Sequence, residues 1–213
     1  MSNYSAYNVF RAIDNDHAEN YFNMWKKTQN IWNYIGDNYL HAFDWFLLGG
    51  DDMYVIMENL RDYLLYLESM EGNEKPMYLG RPLRSTFKLV YNNGGAGYLL
   101  NRAALKLLIH SFQRESCLSR VAHSIEDILV AYCLSTQGVI ALNTQDEFGR
   151  EMFHWMPPHI EYRAVDSRYL TPASEIRKGL HVKRGNASFS PNSIGFQFEN
   201  ELFMFCFNEK LYA

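Results

Sequence analysis

The chain has 213 residues, 47% of them hydrophobic and 21% charged, enough to bury a core as one domain or as part of a larger one. A net charge of −4 and a pI near 6.0 exclude the basic footprint of a nucleic-acid binder. No apolar run reaches the roughly 18 residues that span a bilayer, and the opening MSNYSAYNVFRAIDND lacks the apolar centre of a signal peptide.

Residues 19–40 carry Tyr21, Trp25, Thr28, Trp32, Ile35 and Tyr39 at spacings of three and four, which predicts an amphipathic helix with an aromatic face. Asp44-Trp45-Phe46-Leu47-Leu48 is a short apolar run stopped by Gly49-Gly50 and reads as a buried strand. After Asp51-Asp52, the stretch MYVIMENLRDYLLYLESM reads as a second helix that closes near Gly72-Asn73. Residues 77–80 and 88–91 read as strands, and a turn over Asn92-Asn93-Gly94-Gly95-Ala96-Gly97 follows. Asn101 is placed to cap the helix RAALKLLIHSF. Ser124-Ile125-Glu126-Asp127 opens a further helix, with Gly138 just past its end and a strand over residues 139–142 after it. Beyond Pro157 the pattern loosens, although residues 194–207 are dense in Phe. Helices alternating with short apolar strands predict an α/β sheet domain.

Three constellations bear chemistry. Asp51 and Asp52 stand at the carboxyl end of a buried strand, where open α/β sheets bind ligands and where hard oxygens suit Mg²⁺ or Mn²⁺. The same two residues equally fit as caps of the following helix. The Gly94-Gly95-Ala96-Gly97-Tyr98 turn lets a ligand approach the backbone, or simply serves a strand-to-helix connection. Asp127 at a helix start is placed to accept a proton from an attacking hydroxyl, yet Ser124 and Asp127 also have capping-box spacing. His154 and His159 have no metal-binding spacing, and Cys117, Cys133 and Cys206 fit no zinc pattern. Two of these cysteines would pair in an oxidising compartment, and the sequons at Asn3 and Asn186 would accept glycans there.

Taken in order, ENYFNMWKKTQNIWNYI, DWFLLGGDDMYVIMENLRDYL, PMYLGRPL, NNGGAGYLLNRAALKLL, SIEDILVAYCLSTQGV and FGREMFHWMP resemble the core 1 β1,3-galactosyltransferases, within the wider Fringe-like group. The resemblance implies a GT-A, Rossmann-like α/β domain over residues 19–160, preceded by an extension (1–18) and completed by residues 161–213. It implies a Golgi or ER-lumenal type II membrane protein that binds UDP-galactose and Mn²⁺. Such a protein transfers galactose, with inversion, to GalNAc on Ser or Thr of a glycoprotein. By the same resemblance Asp52 and Asp51 take the metal positions and Asp127 that of the catalytic base, with Glu126 its neighbour. Gly94, Gly95 and Tyr98 lie beside donor or acceptor, and Cys117 pairs with Cys133. Homodimers are common among such proteins.

Two departures accompany the match. Gly50 stands where members have a first Asp, and Gln197 falls where members have a metal-binding His. The match begins at Glu19, so the family's membrane anchor, stem and opening βαβ segment have no counterpart here, and the chain is read as lacking the N-terminal part of its domain. The alternative expectation is a non-catalytic member that acts as a chaperone or binding partner of an active transferase.

Overall fold

A computed structural model describes residues 24–72, 74–85, 88–114, 117, 125–163, 185–198 and 201–212. Residues 1–18, Ser124 and the sequon at Asn3 lie outside them. The order is α1 (Met24–Tyr39), β1 (Trp45–Leu48), β2 (Met53–Val55), α2 (Met57–Glu71), β3 (Tyr78–Gly80), β4 (Pro82–Arg84), β5 (Val90–Asn92), β6 (Tyr98–Asn101), α3 (Arg102–Ser111) and α4 (Glu126–Ser135). There follow β7 (Phe153–His154), α5 (Pro158–Arg163), a 3₁₀ turn (Gly185–Ser188), β8 (Gly195–Gln197) and α6 (Glu201–Tyr212).

The centre is a three-stranded sheet in the order β1-β6-β3, with β6 antiparallel to both neighbours. Side chains alternate across it as the pleat requires. Phe46, Tyr78, Tyr98 and Leu100 point to one face, where Trp32 of α1, Leu105 and Leu108 of α3, and Val130 and Leu134 of α4 close the core. Leu79 and Leu99 point to the other face, against Leu60 of α2 and Met152, Phe153 and Ile194. Every residue of β6 is buried, Tyr98 and Leu100 on one face and Leu99 and Asn101 on the other, and the strand pairs along both edges. A second small sheet, β2-β8-β7, extends the outer face, and there β8 runs antiparallel to β2 and parallel to β7. Its Phe196 and Phe198 form a third cluster with Ile56, Tyr54 and Phe207 of α6. No described helix is long and apolar enough to cross a membrane.

The structure departs from the sequence reading at three places. Residues 53–55 are not the start of a helix but the strand β2, pinned to β8 in the register Met53 to Gln197. Tyr98–Asn101, passed over between turn and helix, is the strand β6, and its insertion makes the central sheet antiparallel. Residues 139–142 form no extended strand; Ala141 makes an isolated parallel bridge to Tyr78. Asn101 does cap α3, accepting from the Ala104 N–H at 2.9 Å, while belonging to β6. Gly138 follows α4 at φ 76°, the left-handed conformation expected after a helix end.

A buried ionic cluster braces the far side. The Arg81 guanidinium meets Glu151 at 2.5 Å and Glu161 at 3.8 Å. His154 is fully buried, with one ring nitrogen 3.2 Å from Glu161 and the other 2.9 Å from the Ser193 hydroxyl. Its ring stacks against Phe189 and Phe196, so it is a structural histidine, while His159 is exposed near Phe203.

Cys117 and Cys133 are both buried and joined in a disulfide, with Cα atoms 5.4 Å apart, and Cys206 is an exposed free thiol. Alkylation of the folded protein without reductant is therefore expected to label Cys206 and neither of the other two cysteines, as read by peptide mass. Leu99→Ala, in the doubly buried strand, is expected to destabilise by about 2–5 kcal/mol through lost transfer energy and a cavity that packed neighbours cannot fill. A shift in the urea midpoint measures it.

Candidate active site

The three constellations meet on one turn. Gly94 and Gly95 lie between β5 and β6, in a turn closed by the Gly97 N–H donating to the Gly94 carbonyl at 2.9 Å. The Asn93 side chain accepts from the Ala96 N–H at 3.1 Å, and Gly97 has φ 72°, a conformation that favours glycine. On one side the Gly94 N–H donates to Asp127 Oδ2 at 2.9 Å, and a Cβ at Gly94 would lie 2.6 Å from Glu126 Oε1. On the other side a Cβ at Gly95 would meet the Gln197 amide, 2.7 Å from its Cδ and 2.9 Å from its Nε2. A side chain at either position would have to move the end of Glu126 or of Gln197, which reach the turn from opposite directions.

Asp51 and Asp52 occupy the turn from β1 to β2, which the Met53 N–H closes on the Gly50 carbonyl at 3.2 Å. With β2 interposed, α2 starts beyond them; its N-cap is Ile56 and no side chain caps it. That removes the helix-cap reading of both aspartates. Asp51 is exposed, whereas Asp52 is held at both ends: its carbonyl accepts from the Phe198 N–H and its Oδ2 from the Gln197 amide, each at 2.8 Å. A Cβ at Gly50 would collide with Asp52 Oδ1, so the carboxylate folds over the place where a side chain at 50 would begin.

Asp127 is buried at the first turn of α4, with Ile125 as an N-cap that makes no side-chain bond. Its oxygens accept from the Gly94 and Ile128 N–H groups, so one partner lies across the site; Ser124, the other half of the capping-box reading, lies outside the described residues. Glu126 Oε2 accepts from the Tyr98 hydroxyl at 3.4 Å, which in turn accepts from the Trp32 indole N–H at 3.3 Å. Tyr98, read from the sequence as lying beside donor or acceptor, is fully buried and supports Glu126 from behind. Trp32 was read only as part of a helix face; nothing in its spacing marks an indole that ends in the site.

Burial pushes the Glu126 carboxyl up to about 8, the Asp127 charge beside it adds to the rise, and the Tyr98 hydroxyl opposes it. Burial also raises Asp127, but the Gly94 and Ile128 N–H groups favour its ionised form and hold the rise back. The two adjacent carboxyls are thus treated unequally: burial favours the protonated form of Glu126, while two backbone N–H groups favour the ionised form of Asp127.

The resemblance implies Mn²⁺ at Asp51 and Asp52, and the donor set does not fit that ion. The inner oxygen of Asp52 already accepts from the Gln197 amide, and among the described residues no group of three His, Cys, Asp or Glu side chains gathers as a metal cage.

No family model matches the chain. It is 34% identical over 161 residues to glycoprotein-N-acetylgalactosamine 3-beta-galactosyltransferase 1 of Xenopus laevis, covering 75% of this chain and 43% of that protein. It is 28% identical to chondroitin sulfate synthase 3 of Mus musculus and 27% to that of Homo sapiens, each over 143 residues, covering 61% of this chain and 16% of those proteins. A carboxylate pair and an aspartate turn meeting at a glycine loop, in a chain with these relatives, place it among the glycosyltransferases. The 34% identity carries the narrower assignment: the chain belongs to the core 1 β1,3-galactosyltransferase family. It spans less than half the length of the Xenopus protein and a smaller share of the two synthases.

The raised Glu126 carboxyl has a thermodynamic consequence. Between its ordinary value of 4.5 and about 8 the folded chain binds the proton that the unfolded chain has released. This group's stabilisation is therefore full below pH 4.5 and lost as pH rises through about 8. The stability difference between wild type and Glu126→Gln, followed by urea unfolding from pH 5 to 8.5, is expected to move against wild type as pH rises. A difference that stays flat would mean Glu126 is ionised throughout.

Proposed function

We infer that this chain carries the acceptor-activating part of a GT-A type site that moves galactose from UDP-galactose to the 3-hydroxyl of N-acetylgalactosamine on Ser or Thr of a glycoprotein. The observation that supports this best is the meeting of Asp127, Gly94, Gly95 and the Asp52–Gln197 pair at one turn. The name of the Xenopus relative supplies the substrates.

Asp127, ionised and steadied by two backbone N–H groups, takes the proton of the acceptor hydroxyl. The freed oxygen pair bonds to the anomeric carbon from the face opposite the nucleotide. The bond from that carbon to the UDP oxygen breaks and the configuration inverts. Glu126, held neutral, spares the site a second negative charge beside the base and the departing diphosphate. A buried disulfide suits the oxidising lumen of the ER or Golgi, where such acceptors are made.

A second reading has its own observation. Asp52 is already satisfied by Gln197, and a site so closed fits a family member that binds an active transferase or a sugar without turning it over.

Transfer from labelled UDP-galactose to a GalNAc-bearing peptide, using protein that contains this whole chain, separates the two. Asp127→Asn is expected to lower kcat by about 100-fold or more while nucleotide affinity stays within a few fold, the signature of a lost base. Undiminished turnover would remove Asp127 from that role. Absence of transfer by folded wild type, together with capture of an active family enzyme, would favour the second reading.

A further inference from the structure

The amide of Gln197 is held by three constraints at once. Its residue is paired in the β2–β8 ladder opposite Met53, one position after Asp52. Its Nε2 donates to Asp52 Oδ2 at 2.8 Å. Its other face lies against Gly95, where even a methyl group would not fit. The orientation of the amide follows from chemistry: turned over, its oxygen would face the carboxylate, two acceptors at hydrogen-bond distance with no proton between them. The N–H therefore faces Asp52, and it presents a partial positive charge at the point where a dication would touch that oxygen. Gly50 adds to this arrangement, because Asp52 folds over it and no third carboxylate can grow from that position without displacing the second.

We propose that Gln197 takes the place of a cation at Asp52, so that this site binds its nucleotide ligand without a divalent metal. The cation part stands on the Asp52–Gln197 geometry alone; the nucleotide part rests on the transferase reading. A hydrogen-bond donor satisfies the carboxylate, and a dication would have to break that bond and then find its remaining ligands from exposed Asp51 and solvent.

The test uses the whole chain and two variants. Mn²⁺ uptake is followed by the paramagnetic resonance signal of the free ion and by the thermal midpoint. Wild type is expected to show neither saturable uptake nor a midpoint shift. Gln197→Glu sets a second carboxylate against Asp52 and is expected to bind Mn²⁺ at least about tenfold more tightly, with stabilisation by the ion. Saturable uptake by wild type that Asp52→Asn abolishes would overturn the proposal, and so would a folded Gln197→Glu protein that gains no affinity. If that variant does not fold, the comparison of wild type with Asp52→Asn decides. UDP calorimetry in chelator and in Mn²⁺ is expected to give affinities within about threefold of each other; binding only with Mn²⁺ counts against the proposal. No UDP binding in either buffer sinks the nucleotide reading, while the uptake measurements still decide whether Gln197 keeps the cation out.

Discussion

A strand that is apolar on both faces can exist only in the middle of a sheet, and β6 is that strand. Its four residues are all buried, Tyr98 and Leu100 under the helices α1, α3 and α4, and Leu99 under α2 and the β7–β8 region. Burial on both sides leaves its backbone N–H and C=O groups no solvent, so they must be met by neighbours, and β1 and β3 meet them. This single requirement sets the layer order of the molecule. It also places the glycine turn, which enters β6 directly, between the aspartate turn that leaves β1 and the first turn of α4.

The chemistry of the site follows from how unequally it treats its carboxyls. Asp52 faces a neutral amide, Asp127 faces backbone N–H groups, and Glu126 faces a tyrosine hydroxyl in a buried recess. Backbone donors cost nothing to orient and favour a charge, whereas a single long hydrogen bond from Tyr98 does not repay the desolvation of Glu126. Adjacent residues on one helix thereby meet surroundings that favour opposite charge states. The glycines complete the arrangement by leaving the ends of Glu126 and Gln197 in place, one beside Gly94 and the other beside Gly95.

The Arg81, Glu151, Glu161 and His154 cluster is a different use of charge. It lies inside the protein, with His154 stacked against two phenylalanines, and it fastens the segment after β3 to β7 and α5. Removing one partner of such a cluster leaves an uncompensated buried charge, which is strongly destabilising.

Local patterns were enough to read α1, β1, β3, the cap at Asn101 and the bodies of α2, α3 and α4, because each is written in periodicity, in a capping residue or in an apolar run ended by glycine. They also brought Asp52, Gly94, Gly95 and Asp127 into view as residues of the right type at element ends. β2 and β6 escaped because each runs into a helix with no Gly or Pro break between, and takes its state from the partner strands. For the same reason the stretch 139–142, equally apolar, stays outside the sheet: no neighbour offers it more than one bridge. The amino-acid order by itself determined which residue types sit beside each bend of the chain. Only the tertiary structure decided which of them meet, because Asp52 and Gln197 are 145 positions apart and Gly94 and Asp127 are 33 apart. Whether a carboxyl is charged, capped or bridged depends on what the fold carries across that gap.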